Sequence, residues 1–248
     1  MIFMQDFRSF FAFPLNLLVA VIWMVIWGWL WKSQPKCRVM RFILSPTATV
    51  SAIGLLLCAC LWVGFSGDRS FVESILFVLV LLYVQTVLYA VILRGWRRLD
   101  GAVRWRFIFL HAGLLLAIGA GFWGSPDSSE VRVALGRGEK TETAYNMDGS
   151  VAGLGYELLL TDFETEFSED GKPSHYEAFI SVDGSTPQSL TVNDPYGVSF
   201  GEDIYLTSVT DRYCVLQIVR EPWRYFALAG IIMLLAGAFM LFIKGPRR

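Results

Sequence analysis

Five long apolar runs alternate with short polar stretches along this chain, at residues 11–31, 47–66, 71–93, 107–123 and 225–243. Each is close to the roughly 20 apolar residues a helix needs to cross a bilayer core, so the pattern predicts five transmembrane helices. Between the last two runs the period changes. Val131, Val133 and Leu135, then Tyr156, Leu158 and Leu160, then Phe179, Ile180 and Val182 mark short segments of alternating character. Turns at Asp148-Gly149, Asp170-Gly171 and Asp183-Gly184 separate such segments, the pattern of half-buried antiparallel strands. The expected architecture is four helices in residues 1–123, an antiparallel β-rich domain of about six to eight strands in 124–223, and a last helix with a short tail in 224–248. The final strand, Cys214 to Val219, runs almost directly into the fifth apolar run, which would hold the domain close to the membrane.

Charge placement orients this frame. Residues 124–223 hold 18 of the 22 Asp and Glu but only 6 of the 21 Lys and Arg, a net charge of −12 against +11 for the rest. Lys32, Lys36, Arg38 and Arg41 lie between the first two runs, and Arg94, Arg97, Arg98, Arg104 and Arg106 between the third and fourth. Lys244, Arg247 and Arg248 follow the fifth. The positive-inside rule makes these three regions cytoplasmic. The loop with Asp68, Arg69 and Glu73, the acidic domain and the N-terminus are then external, which Asp6 and Arg8 do not oppose because they cancel. The alternative is four true spans, with 11–31 re-entrant or interfacial. That first run is too long for the apolar core of a signal peptide and ends in Trp29, Leu30, Trp31 and Lys32 rather than small residues, so it is expected to stay as an anchor.

Few residues could carry chemistry. No zinc-protease motif, nucleophile elbow, phosphate loop or dinucleotide fingerprint is present, and no nucleic-acid partner is expected. Cys37, Cys58, Cys60 and Cys214 contain no two-residue-gap pair, and Cys214, alone in the acidic segment, cannot make a disulfide within it. Asp162, Glu164, Glu166, Glu169 and Asp170 read as a solvated acidic face, with a cation site as the sharper alternative. Trp23, Trp27 and Trp31 recur at i, i+4 and i+8 and read as an aromatic belt with helix packing, with a cofactor-stacking role as the sharper alternative.

His111 stands apart, since an ionisable side chain inside a span is a functional candidate; an interfacial imidazole is the plain alternative. It lies roughly 8 Å in from Arg106 at helical rise. Gly113, Ala117 and Gly121 form a small-residue stripe along which another helix can approach, and His111 falls on a different face, near Leu115, Ile118 and Phe122. A neutral imidazole can ligate haem iron, but one histidine fills one axial position, so a second ligand must come from elsewhere. His175, in an expected external turn, is read as a surface residue.

Three ordered fragments resemble the ResB (CcsB) family of System II cytochrome c biogenesis. The first is Phe109-Leu110-His111-Ala112-Gly113-Leu114-Leu115-Leu116-Ala117-Ile118-Gly119-Ala120 with the following Val131 to Leu135 and Gly138-Glu139. The second runs from Leu160-Thr161-Asp162-Phe163 through Asp170-Gly171-Lys172-Pro173 into Tyr176 to Val182. The third joins Thr191-Val192-Asn193-Asp194-Pro195, Gly201 and Ile204-Tyr205 to Leu216-Gln217-Ile218-Val219-Arg220-Glu221-Pro222. By their order and spacing the resemblance covers roughly residues 47–243.

The resemblance implies a subunit in a bacterial plasma membrane, its soluble domain on the periplasmic or extracytoplasmic side. Such a subunit works with a ResC (CcsA) type partner to carry haem b across the membrane and present it to apocytochrome c. It also implies His111 as a haem axial ligand, so that any metal bound here is haem iron. The tryptophan-rich haem-handling motif belongs to the partner and is absent here. Run 11–31 is additional to the family's usual four spans, and the external domain is short for the family. The competing function is a structural assembly factor that positions a partner without touching haem.

Overall fold

In the computed structural model, residues 11–67, 71–72, 74–97, 101–167 and 173–244 are described. Asp6, Arg8, Asp68, Arg69, Glu73, Arg98, Glu169, the Asp170-Gly171 turn with Lys172, and Arg247 and Arg248 lie outside them. The chain divides into two compact units, Met1–Pro126 with Trp223–Arg248, and Asp127–Pro222.

The first unit is helical. Its long helices are α1 (Leu15–Ser33), α3 (Pro46–Ser66), α4 (Ile75–Gly95), α5 (Trp105–Gly124) and α6 (Arg224–Lys244), with a short α2 (Arg38–Ile43) after α1. All five long helices have the length and apolarity to cross a membrane, and the chain is a membrane protein. Serine caps decide two of the starts. Ser45 Oγ accepts from Ala48 N at 3.1 Å before α3, and Ser74 Oγ accepts from Phe77 N at 3.2 Å before α4, satisfying amide groups that a helix start leaves open. Hence α4 begins at Ile75, although the apolar run starts at 71. Gly67, at φ +65°, closes α3 in the left-handed conformation that glycine adopts without strain.

Small residues let the helices meet. A Cβ on Gly113 would lie 2.8 Å from the Gly230 carbonyl oxygen, and one on Gly230 would lie 2.6 Å from Ala117 N. The α5 and α6 backbones therefore touch, as small-residue membrane interfaces permit. Further along, Gly237 makes room for Leu110. The expected stripe of Gly113, Ala117 and Gly121 is corrected at its far end. Gly121 faces open space, whereas Ala120 and Gly124 are the buried residues, so the contacting face repeats at alternating steps of four and three. That 3.5-residue average keeps a seam against a neighbouring helix better than a repeat of four.

A chain of polar contacts ties α1 into the bundle. Asn16 Nδ2 donates to Trp123 O at 2.8 Å, Trp123 Nε1 to Gln85 Oε1 at 3.1 Å, and Gln85 Nε2 to Leu81 O at 3.3 Å. Trp23 packs between Tyr89 and Trp123, with ring centroids 5.8 and 6.4 Å away. Contacts from Asn16 through Trp23 to Gly28, which faces the Tyr89 hydroxyl, run along much of α1. They make it a packed member of the bundle, with Trp23 and Trp27 in the packing while Trp29 is exposed.

The second unit is one eight-stranded antiparallel sheet. Its strands are β1 (Ser129–Gly136), β2 (Lys140–Asn146), β3 (Val151–Phe167), β4 (Pro173–Val182), β5 (Gln188–Thr191), β6 (Tyr196–Ser199), β7 (Glu202–Val209) and β8 (Tyr213–Arg220), in the order β5-β4-β3-β2-β1-β8-β7-β6. Alternation places Val131, Val133 and Leu135 inward with Leu158, Leu160, Ile180, Leu216 and Ile218, as a two-residue side-chain period requires. Ala178 and Ile180 share the inner face of β4; Phe179, one residue out of phase, cannot. Leu190 from β5 and Ile204 from β7 join the same cluster, so the sheet curls to bring its two ends over one core. Asp148-Gly149 and Asp183-Gly184 are turns, with Gly149 at φ +83° and Gly184 at φ +71°.

Candidate functional site

The apolar run that forms α5 continues past the imidazole without a break, so His111 is held on a regular helix, about 1.7 turns in from Trp105. Its Nδ1 lies 2.9 Å from the Phe107 carbonyl oxygen. A carbonyl oxygen can only accept, so this contact assigns the proton of the neutral ring to Nδ1 and leaves the lone pair on Nε2. Among the described residues nothing bonds Nε2. A metal-binding histidine commonly has this arrangement, its second ring nitrogen fixed by a backbone carbonyl.

The ring is further oriented by packing. Phe107 stacks on it at 4.0 Å between centroids and 25° between planes, and the Arg104 guanidinium lies 4.8 Å from the centroid of Phe107. Phe107 in turn fills the space over Gly95 at the end of α4, where any Cβ would overlap its ring. Gly95 is thus the residue that lets this stack close, a dependence visible only once α4 and α5 are side by side. The half-buried imidazole lies away from the Leu110, Gly113 and Ala117 face that meets α6.

The site holds one imidazole with a ring nitrogen that could ligate a metal such as haem iron. Among the described residues no group of three or more His, Cys, Asp or Glu could hold a metal ion. His111 is thus a single candidate nitrogen ligand.

The other candidates are explained by their surroundings. His175 is exposed on β4. Asp162 pairs with Arg137 at 2.8 Å, and Arg137 also caps the Phe163 ring and donates to the Phe163 carbonyl oxygen at 2.7 Å. Glu164 stands opposite Glu177 in the β3–β4 ladder, and Glu177 accepts from the Ser189 hydroxyl. Cys37 Sγ accepts from Met40 N at 3.3 Å and caps α2, while Cys58 and Cys60 lie exposed on the outer surface of α3. Burial pushes the Cys214 thiol up to about 12, making it an inert core residue. Burial first, then a hydrogen bond to Glu202, also raises the Tyr156 hydroxyl; that bond is 2.9 Å long.

Sequence reasoning missed the chain from Asn16 through Trp123 to Gln85. The signal was present, since a polar amide in each of two apolar runs needs a partner inside a bilayer.

The model of the ResB-like family matches residues 100–213, which take in α5 with His111 and most of the sheet. No match emerges among curated proteins. A solved structure titled cytochrome c heme lyase CcmF aligns with 92% of this chain at 13% identity and a TM-score of 0.41. The chain spans 45% of that protein's length.

Proposed function

Taking the ResB-like assignment of residues 100–213 as premise, we propose that this chain is the ResB-type subunit of a cytochrome c biogenesis system. It works in a bacterial plasma membrane beside a ResC (CcsA) type protein. Residues 124–223 form the extracytoplasmic domain, residues 1–123 and 224–248 the membrane region. The subunit helps carry haem b across the membrane and hand it to apocytochrome c. His111 supplies one axial ligand to the shared haem, and the partner supplies the other.

The observation that carries this reading is the Nδ1 to Phe107 carbonyl contact of 2.9 Å, which leaves Nε2 as a lone-pair donor. The Phe107 ring limits rotation of the imidazole, and the α5 face used for α6 leaves His111 clear of that interface. When bound, haem would be the cargo, with iron whose ligands set its spin state and its retention. This chain's own part is to hold the imidazole with Nε2 turned outward while the rest of the site comes from outside it.

The test is the absorption spectrum and haem content of the protein purified with its membrane partner, with and without His111→Ala, alongside the yield of mature cytochrome c. The variant is expected to lose haem or leave it high-spin, and added imidazole to restore part of the spectrum. His111→Gly should behave alike. Unchanged haem content, spectrum and cytochrome yield would return the structural assembly factor to first place.

A further inference from the structure

At the end of the helical unit where the Lys and Arg residues gather, a cleft of about 320 Å³ opens between α3, α4 and α5. Val91 and Phe107 line it with apolar surface, and Ser45, Thr49, Arg94 and Arg104 with polar groups. Both guanidiniums are braced from behind. Arg94 Nη1 donates to the Leu44 carbonyl oxygen at 3.0 Å, and Arg104 Nη1 to the Gly95 carbonyl oxygen at 3.2 Å. A guanidinium carries five N–H donors, so one such bond fixes its place and leaves most of its donors free.

Two anchored cations beside an apolar wall suit an amphiphile with an anionic head. Planar guanidiniums favour phosphate, which they can grip through two bonds at once. The cleft lies at the ends of membrane-spanning helices, where lipid phosphates are the most abundant anions carrying apolar chains. We propose that this cleft binds the phosphate headgroup of an anionic phospholipid, Arg94 and Arg104 holding the phosphate while an acyl chain leaves along Val91 and Phe107. His111 does not line it, and the proposal does not depend on the haem reading.

The full-length protein, delipidated in detergent, can be titrated with dioleoyl-phosphatidylglycerol, dioleoyl-phosphatidylcholine or inorganic phosphate and followed by native mass spectrometry. One phosphatidylglycerol is expected to remain bound, with phosphatidylcholine weaker by about ten-fold or more and millimolar phosphate unable to displace it. Arg94→Gln with Arg104→Gln should weaken retention by at least about ten-fold. Arg38→Gln, at the same end but outside the cleft, should not. Equal binding of the two lipids, or equal retention by the cleft and control variants, overturns the proposal. Displacement by inorganic phosphate assigns the site to a free oxyanion, and displacement by haem b assigns it to the cofactor; either removes the lipid. Should the double variant fail to purify as a helical protein, the lipid comparison on the unaltered chain decides alone.

Discussion

The two units of this chain bury opposite kinds of residue. In the sheet, most side chains with no exposed surface are large and branched, namely Leu158, Leu160, Ile180, Leu190, Ile204 and Leu216, with Ala144, Ala178 and Cys214 beside them. In the helices, most buried side chains are small or polar, among them Ala48, Ala52, Ala59, Ala120, Asn16 and Gln85, while Phe65 and Leu235 are 88% and 65% exposed. Water explains the first pattern, because burying a large apolar side chain is the main gain in folding there. Lipid explains the second. Against a solvent as apolar as leucine, large side chains gain little by turning inward, and close backbone packing and interior hydrogen bonds hold helices together.

The largest test of that contrast is the same truncation in each unit. Leu160→Ala in the sheet should cost about 2–5 kcal/mol, as deletion of a fully buried leucine does. Leu235→Ala on the outer face of α6 should stay within about 0.5 kcal/mol. Denaturant unfolding of the sheet unit, followed by limited proteolysis, reads the first, and unfolding in mixed micelles the second. Similar costs at the two positions would mean that α6 buries Leu235 against protein, and the contrast would fail there.

The same contrast explains what could be read from the sequence. In the sheet, alternation and Asp-Gly pairs are local signals, and they located Val131 to Leu135, Leu158 to Leu160 and two of the turns. The five helices were equally legible, because crossing a bilayer imposes length and apolarity on each run separately. Helix rotation was not. Gly121 and Ala120 are both small, and which one is buried depends on how α5 is rotated against α6, where Gly230 meets Gly113 and Ala117 more than a hundred residues further on. His111 stood out as an intramembrane ionisable residue, yet its proton position depends on the Phe107 carbonyl, and its ring orientation on a stack that closes only over Gly95.

A smaller effect sharpens the packing half of the comparison. Gly230→Val puts a branched side chain where a Cβ would already sit 2.7 Å from the Gly113 carbonyl oxygen. Overpacking of this kind costs about 1–3 kcal/mol, and α5 must move away from α6. Gly121→Val, one helix face away and facing open space, serves as the matched control, with little expected change. Mixed-micelle unfolding, together with a cysteine cross-link between α5 and α6, distinguishes them. If Gly121→Val were the more damaging, the contact face would be the regular four-residue stripe after all.

The smallest effect concerns the polar half. Asn16 is fully buried, and its Nδ2 donates to the carbonyl of Trp123, in the last turn of α5, where carbonyls lack partners within their own helix. Asn16→Leu keeps the branching and heavy-atom number but removes that donor. Interhelical hydrogen bonds in membranes average about 0.6 kcal/mol and reach about 1.7, so the loss should be modest and lie near the upper value, because the Trp123 indole is also tied to Gln85. Gln85→Leu cuts the chain at its other end. The double variant should cost less than the two single losses added together, since both changes weaken one connected network. Mixed-micelle unfolding measures the cycle, and labelling of a cysteine at position 15 reports whether the start of α1 loosens. Strict additivity with unchanged labelling would make α1 an appendage held by its tryptophans alone, and hydrogen bonding would then have no share in what joins the first helix to the bundle.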